Sequence, residues 1–187
     1  MARIPAHTVE DAPATARPLL AEMIQFSPTG RLLNLHAQMA HAPGVLEAYV
    51  SIRRATARHG TLDEQVRTAL MLAAAAADGS RYAAAIVSTL AVRSGWRPDQ
   101  VKALLAGRDA GEEKTDALIG VVREAAGNHG RVSDAAWGNA VGHGWSDGQL
   151  AEAFGYLGLT VFTSYFLNYA ATELDVPTGP AHADEGA

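Results

Sequence analysis

Two alanine-rich segments that meet at Asp78-Gly79 limit the fold of this chain more than any other feature. Residues 69–77 read ALMLAAAAA, and a second run of small residues, YAAA, occupies 82–85. Alanine is the strongest helix former, whereas an Asp-Gly pair interrupts a helix and a serine caps the next one. We therefore predict two helices joined by a tight turn, the second beginning at Ser80. Because backbone N–H groups face outward at a helix start, this turn is also a candidate ligand site.

The rest of the chain shows the same helical punctuation and no sustained apolar–polar alternation of the kind that marks a strand. Thr61 and Glu64 match a capping box, in which each side chain caps the other's backbone. We predict a single all-helical domain over residues 13–176, a loose N-terminal segment over 1–12 and a disordered tail over 177–187. Helices are predicted to begin at Ser27, Pro43, Thr61, Ser80, Pro98, about residue 112, Ser133 and Ser146, and the last to end near Leu174.

Two segments of the chain resemble each other. SGWRPDQVKALL at 94–105 and HGWSDGQLAEAF at 143–154 each place a glycine and a tryptophan before a short turn and an apolar helix. Either the domain repeats a helical hairpin, or both segments are independent solutions for the same kind of turn. The last predicted helix is apolar on too many sides for a solvated helix, so it is either central in the fold or buried against another subunit. A monomer of this size has little room for such a helix, and we therefore expect a homo-oligomer. Its large apolar residues are Phe154, Tyr156, Leu157, Leu159, Val161, Phe162, Tyr165, Phe166, Leu167 and Tyr169.

Composition excludes several classes of site. The chain has no cysteine, which rules out disulfides, thiolate metal sites and thiol redox catalysis. Its seven histidines include no HExxH pair, and His36 and His41 lie about 140° apart around a helix, so we expect neither a metal nor a cofactor. The net charge is −5 and the basic residues are scattered, so we expect no nucleic-acid partner.

No membrane partner is expected either. The N-terminal residues contain no apolar core of a signal peptide, and the run at 69–77 is far shorter than the ~20 residues that span a bilayer. The sequence therefore predicts a cytoplasmic location.

Three polar residues near the Asp78-Gly79 turn each have two interpretations. Ser80 is either a helix cap or a residue that touches a ligand, and one hydroxyl can do both. Arg67 either forms a salt bridge with Asp63, one turn earlier, or directs its charge at the start of the Ser80 helix. Tyr82 is either a packing residue with a bonded hydroxyl or an acid–base group.

The order of six blocks resembles the alkyl hydroperoxidase D-like, or carboxymuconolactone decarboxylase, family over about residues 30–176. The blocks are NLHAQMAHAPGV, LDEQVRTALMLAAAAADGSRY, AVRSGWRPDQVKALLAG, DALIGVVREAAGNHGRVSDAAW, GWSDGQLAEAF and FLNYAATEL. The resemblance implies an all-α fold built on a helical-hairpin repeat. It also implies homo-oligomers with a pocket near a subunit interface.

Redox members of that family carry an Arg-Glu pair before a Cys-x-x-Cys-x-x-x-His motif. By the resemblance, the Arg-Glu pair falls on Arg67-Thr68, the two cysteines on Ser80 and Ala83, and the histidine on Val87. The peroxidase chemistry needs thiols, so this chain is not a thiol peroxidase.

The residues at these positions are smaller and more apolar than those of the redox members, so we predict a roomier and more apolar pocket. We expect Thr68, Ser80, Arg81, Ala83 and Val87 to contact a small-molecule ligand. Arg67 and Tyr82 are the candidate catalytic residues, stabilising an oxyanion or moving a proton.

The decarboxylase branch of the family implies that this scaffold can work without a cysteine pair. The resemblance therefore implies a cofactor-independent lyase, isomerase or decarboxylase that acts on a small carbonyl, lactone or carboxylate compound. The alternative is a non-catalytic ligand-binding or structural oligomer that has lost the peroxidase activity.

Overall fold

The computed structural model describes residues 1–178, and over that range the chain forms nine α-helices and no strand. This confirms the all-α fold class; of the predicted tail at 177–187, residues 179–187 lie outside the described range. The helices are α1 (Arg17–Gln25), α2 (Asn34–Met39), α3 (Pro43–His59), α4 (Glu64–Ala77), α5 (Arg81–Arg93), α6 (Pro98–Leu105), α7 (Glu113–Gly127), α8 (Asp134–Gly142) and α9 (Asp147–Ala170).

The helices α4–α6 and α7–α9 form two equivalent units. The indole N–H of Trp96 donates to the carbonyl of Gln65 at 2.8 Å, and that of Trp145 donates to the carbonyl of Lys114 at 2.7 Å. Each acceptor lies 31 residues before its tryptophan, at the start of the first helix of the unit. The likeness between residues 94–105 and 143–154 is therefore a structural repeat.

The same turn closes both units after the tryptophan. The side-chain carbonyl of Gln100 accepts from the backbone N–H of Arg97 at 3.2 Å, and that of Gln149 accepts from Ser146 at 3.1 Å. These bonds satisfy an otherwise unpaired N–H at the start of α6 and of α9. The glutamine that recurs in the two segments thus sets the direction of each third helix.

Helices α4 and α9 lie at the centre of the domain. Helix α4 packs against α5, α6, α7 and α9, and α9 also packs against α3, α5 and α7. Four buried alanines, Ala69, Ala73, Ala74 and Ala75, cover much of α4, and such small side chains let neighbouring backbones approach closely. Among the described residues, α9 alone is long and apolar enough to span a membrane, and a helix packed in a soluble core meets the same criterion.

The predicted capping box at Thr61 and Glu64 is wrong. Helix α4 begins at Glu64, after Asp63, and Thr61 lies in the preceding loop. Its backbone N–H and its hydroxyl both donate to the carboxylate of Glu152 on α9, at 2.7 and 2.8 Å. A charged acceptor brought from α9 replaces the local cap, because a charge-assisted hydrogen bond is stronger than a neutral one.

The helix predicted to open at Ser27 is also wrong. Residues 27–33 form turns, in which the Ser27 hydroxyl contacts the Thr29 hydroxyl at 3.0 Å and Gly30 has a φ of +68°. A φ in this left-handed region is incompatible with a continuous α-helix. Helix formation resumes only at Asn34, and the earlier helix α1 was not predicted.

Both ends of the described chain are attached to α2. Helix α9 ends at Ala170 rather than near Leu174, because Ala171 adopts a left-handed conformation with φ +50°. The following residues return to α2, where Asp175 accepts from the backbone N–H of Asn34 at 2.8 Å. Residues 1–12, expected to be loose, lie outside the helices but bond to α2 and α9, as in the 2.7 Å contact from the Gln38 side chain to the Ile4 carbonyl.

Candidate functional site

A cavity of about 320 Å³ lies between α3, α4, α5 and α9 and opens to solvent on one side. Its volume is within the range of ligand sites, which start near ~300 Å³. The wall is mainly apolar, and its only charged residues are Arg53, Glu64 and Arg67. The lining residues are Phe26, Leu35, Tyr49, Arg53, Thr56, Ala57, Glu64, Arg67, Thr68, Met71, Ala83, Ile86, Val87, Leu90, Tyr156, Leu159, Thr160 and Thr163.

The structure divides the residues singled out in the sequence into two groups. Arg67 and Thr68 from α4 and Ala83 and Val87 from α5 line the cavity. Ser80, Arg81 and Tyr82, at the start of α5, do not belong to its lining. The register of α4 and α5 thus brings part of the predicted site together and leaves the turn outside it.

Ser80 and Arg81 have simple structural environments. The Ser80 hydroxyl is buried and accepts from the backbone N–H of Ala83 at 3.4 Å, as the cap interpretation predicts. Arg81 is exposed at the first position of α5.

Tyr82 is buried and donates its hydroxyl proton to the carboxylate of Asp175. Burial raises the pKa of Tyr82 well above its usual value, and the neighbouring Asp175 raises it further. A phenol in this state keeps its proton at neutral pH, so its present contacts attach the C-terminal segment to α5.

Thr68 lines the cavity with its polar group already bonded. Its hydroxyl contacts the Gln65 carbonyl at 2.9 Å and the Ser94 hydroxyl at 2.8 Å. Because the hydroxyl joins α4 to the end of α5, it serves the helix packing. The position that carries an acid in redox relatives, by the resemblance, is therefore a structural threonine here.

Arg67 is the half-buried cation of the inner wall. Its Nε atom is buried and has no hydrogen-bond partner among residues 1–178, and no ion pair with Asp63 forms within that range. The guanidinium faces the hydroxyl of Tyr156 and acts on the carboxylate of Glu152. Burial raises the pKa of the Tyr156 hydroxyl, and a hydrogen bond with Arg67 together with the charge of Arg67 partly offsets that rise. Arg67 thus holds a buried Nε donor that the described fold leaves uncommitted.

Glu152 forms no direct ion pair with Arg67, and its oxygens bind the loop before α4 instead. They accept from the N–H and hydroxyl of Thr61 and from the N–H of Leu62, the last at 3.1 Å. Burial tends to raise the pKa of Glu152, but these hydrogen bonds and the charge of Arg67 hold it below its usual value. Glu152 therefore stays ionised and fixes the loop before α4.

Arg53 occupies the outer wall beside two aromatic rings. Its guanidinium carbon lies 5.8 Å from the ring centre of Phe26 and 5.9 Å from that of Tyr49. One of its N–H groups donates to the Tyr49 hydroxyl at 3.3 Å. Cation–π contacts of this kind hold a guanidinium in place while leaving its other N–H groups free for a ligand.

The threonine hydroxyls of the wall donate to helix carbonyls. Thr56 donates to Ile52 at 3.0 Å, Thr160 to Tyr156 at 2.8 Å and Thr163 to Leu159 at 2.7 Å. Each hydroxyl has a single proton, so these groups can only accept from a ligand. The guanidiniums are consequently the main hydrogen-bond donors that the described wall offers.

Sequence reasoning missed Tyr49, Arg53 and Tyr156. Tyr49 and Arg53 are four residues apart on α3, a spacing that places them on one helix face, and this signal was available in the sequence. Nothing in the sequence indicated that α3 and α9 would close the cavity opposite α4 and α5. Within residues 1–178, no three His, Cys, Asp or Glu side chains come together in a way that could hold a metal ion.

No family model and no curated protein sequence matches the chain. Solved structures do match. A peroxidase-related protein from Ralstonia eutropha JMP134, described as an alkylhydroperoxidase AhpD core, is 14% identical with a TM-score of 0.83 over 96% of both chains. A cysteine-to-alanine variant of the debrominase Bmp8, in complex with 2,3,4-tribromopyrrole, is 16% identical with a TM-score of 0.81 over 97% of this chain and 96% of its own.

A third match is a peroxidase-related protein from Silicibacter sp. TM1040. It is 15% identical, with a TM-score of 0.70 over 92% of this chain and 94% of its own. Identities this low establish the fold alone, which is the AhpD-like all-α fold.

Proposed function

We propose that the cavity between α3, α4, α5 and α9 is the active site of a cofactor-independent enzyme of the lyase, isomerase or decarboxylase type. Its substrate is a small carbonyl, lactone or carboxylate compound. The observation that carries this proposal is Arg67, a cation with an uncommitted Nε donor on the wall of an apolar cavity of about 320 Å³. Reactions of this class place negative charge on an oxygen in the transition state, and a fixed guanidinium stabilises it.

The neighbouring groups suit this role of Arg67. The hydroxyl of Tyr156 faces the guanidinium, and the apolar residues Met71, Ile86 and Val87 keep the surroundings poor in water. An electrostatic contact strengthens as the local dielectric constant falls. A solved relative in fold, the debrominase Bmp8, binds a small halogenated heterocycle, which supports an organic ligand for a cavity on this scaffold.

The alternative is a protein that binds such a ligand without converting it. The polar groups of the lining favour it. The hydroxyl of Thr68 is already bonded, and the lining holds no histidine. Its only carboxylate, Glu64, is exposed at the start of α4. A general base must reach the proton that it removes. Turnover therefore distinguishes the two functions, whereas binding does not.

A screen of lactones and keto acids tests the proposal. Ligand-observed NMR would detect binding, and mass spectrometry of the same mixtures would detect products. Val87→Phe should fill the cavity and abolish binding, whereas Val92→Phe, on the exposed face of the same helix, should leave it intact. Binding without products supports the alternative. Binding that survives in Val87→Phe would place the ligand elsewhere and refute the proposal.

We also propose that the protein is a homo-oligomer joined through the exposed face of α9. Phe154, Tyr165 and Tyr169 are 64%, 54% and 72% exposed and lie on one side of this helix. Aromatic residues clustered on one exposed face are typical of an interface. Sedimentation velocity measures the mass in solution, and a monomer at micromolar concentration contradicts this proposal.

A further inference from the structure

The charge and hydrogen-bonding character of the cavity wall identifies the kind of ligand that it fits. Two guanidiniums, those of Arg53 and Arg67, face one carboxylate, that of Glu64. The chain as a whole carries a net charge of −5, so this local excess of positive charge runs against the average. An unpaired cation in an apolar cavity is costly unless a counter-ion completes it.

Carboxylates of the described chain act on both guanidiniums, Glu152 on Arg67 and Glu22 on Arg53, but neither carboxylate pairs with them directly. No ion pair joins either Arg53 or Arg67 to a carboxylate within residues 1–178. Glu152 lies close enough to influence Arg67, but its oxygens accept three hydrogen bonds from the loop before α4. The buried Nε donor of Arg67 is therefore left for a ligand oxygen.

We infer that the ligand is an amphipathic organic anion whose carboxylate binds the Arg67 guanidinium, with its hydrocarbon body against Met71, Ile86 and Val87. This inference rests on the proposed function of the same cavity. The planar fork of a guanidinium matches the two oxygens of a carboxylate. Apart from Arg53, the remainder of the wall carries no cation, which favours a single carboxylate on a hydrocarbon.

The position of Arg53 assigns it a different task. It lies between the rings of Phe26 and Tyr49, and Phe26 is 59% exposed at the cavity opening. A cation at the opening attracts an anion and accelerates its entry without contacting the bound carboxylate. Loss of Arg53 should therefore slow association, whereas loss of Arg67 should weaken the bound state.

Matched acid and amide pairs test this inference. Benzoate, 3-phenylpropionate and octanoate would each be compared with the primary amide of the same skeleton, by titration calorimetry at millimolar concentration. We expect at least one acid to bind about tenfold more tightly than its amide. Arg67→Gln should remove that preference, and Arg58→Gln, at an exposed position of α3, should preserve it. Unchanged amide binding in Arg67→Gln shows that the variant is folded, and Arg67→Lys should keep part of the preference.

The outcomes separate this inference from the proposed function. If acid and amide bind equally and Arg67→Gln changes neither, the inference is overturned while the cavity remains a ligand site. If the acid preference disappears in Arg53→Gln but survives in Arg67→Gln, the assignment of the carboxylate to Arg67 is overturned. If no acid or amide binds, both proposals fail.

Discussion

Replacing His36 with phenylalanine should make the protein much less sensitive to mild acid. His36 is 4% exposed on α2, and neither ring nitrogen has a hydrogen-bond partner within the described part of the chain. Its ring lies 5.2 Å from that of Tyr49, and Phe preserves this aromatic contact. Burial, together with the nearby charge of Arg53, lowers the pKa of His36 from 6.5 to about 3.

The size of the effect follows from this pKa. In the unfolded chain His36 takes up a proton as the pH falls below 6.5, but in the folded protein it stays neutral until about pH 3. Between these values the unfolded state binds more protons, so the free energy of unfolding decreases by about 1.4 kcal/mol per pH unit. At pH 4.5 the loss due to His36 alone should be about 2.7 kcal/mol relative to pH 7.5.

Urea unfolding at pH 7.5 and pH 4.5, at one protein concentration, measures this loss. At pH 7.5 the His36→Phe variant should be at least as stable as the wild type, because it removes a buried N–H without a partner. At pH 4.5 its advantage should grow by about 2.7 kcal/mol. His59→Gln, at an exposed helix end, is the control and should show no such growth. An advantage of equal size at both pH values would refute the buried neutral histidine.

Two further variants test the contacts around the site. Tyr82→Phe removes the hydrogen bond to Asp175 and should lower the free energy of unfolding by about 1–3 kcal/mol without changing ligand affinity; loss of turnover at unchanged stability would instead assign Tyr82 to catalysis. Glu152→Gln and Asp116→Asn each weaken hydrogen bonds from loop N–H groups to a carboxylate and should each cost about 1–3 kcal/mol in urea unfolding at pH 7. Because the pKa of Glu152 is lowered, its contribution should persist below pH 4.5 and disappear only as the pH falls through its folded value; an undiminished effect in strong acid contradicts this reasoning.

Local signals in the sequence predicted most helix starts well. Pro43 and Pro98 begin α3 and α6, and Ser133 and Ser146 cap α8 and α9 with their hydroxyls. Each of these signals acts within one turn of its helix, so the sequence suffices to locate it. Thr61 failed as a cap because its competing partner, Glu152, is distant in the sequence and reaches it only in the folded domain.

The candidate site was predictable to a similar extent. The place of Arg67 and Val87 on the cavity wall was predictable, because the registers of α4 and α5 follow from their own sequences. The opposite wall, with Arg53 and Tyr156, comes from α3 and α9, and no local pattern shows which helices will face each other. The sequence left two interpretations of Tyr82 open, because the partner of its hydroxyl, Asp175, belongs to a segment that returns to α5 only after α9 ends.

The two repeated units stabilise the loop before their first helix in different ways, and in the first unit Arg67 takes no part in this. In the second unit, Asp116 accepts from the N–H groups of Ala110, Gly111 and Glu112 at 2.8–2.9 Å and so stabilises the loop before α7 within its own unit. Arg67 occupies the corresponding position in the first unit, 49 residues earlier as Trp96 is to Trp145. There the loop is stabilised from outside, by Glu152 on α9.

The different ways in which the two units stabilise these loops have an evolutionary consequence. A duplicated helical unit would carry the same constraint twice, but once α9 supplied the carboxylate, the position of Arg67 no longer had to be acidic. Substitutions there could then change ligand preference without loosening the loop, whereas substitutions at Asp116 could not. Variation among descendants of this chain should therefore be concentrated in the first unit, with the second retained as its support.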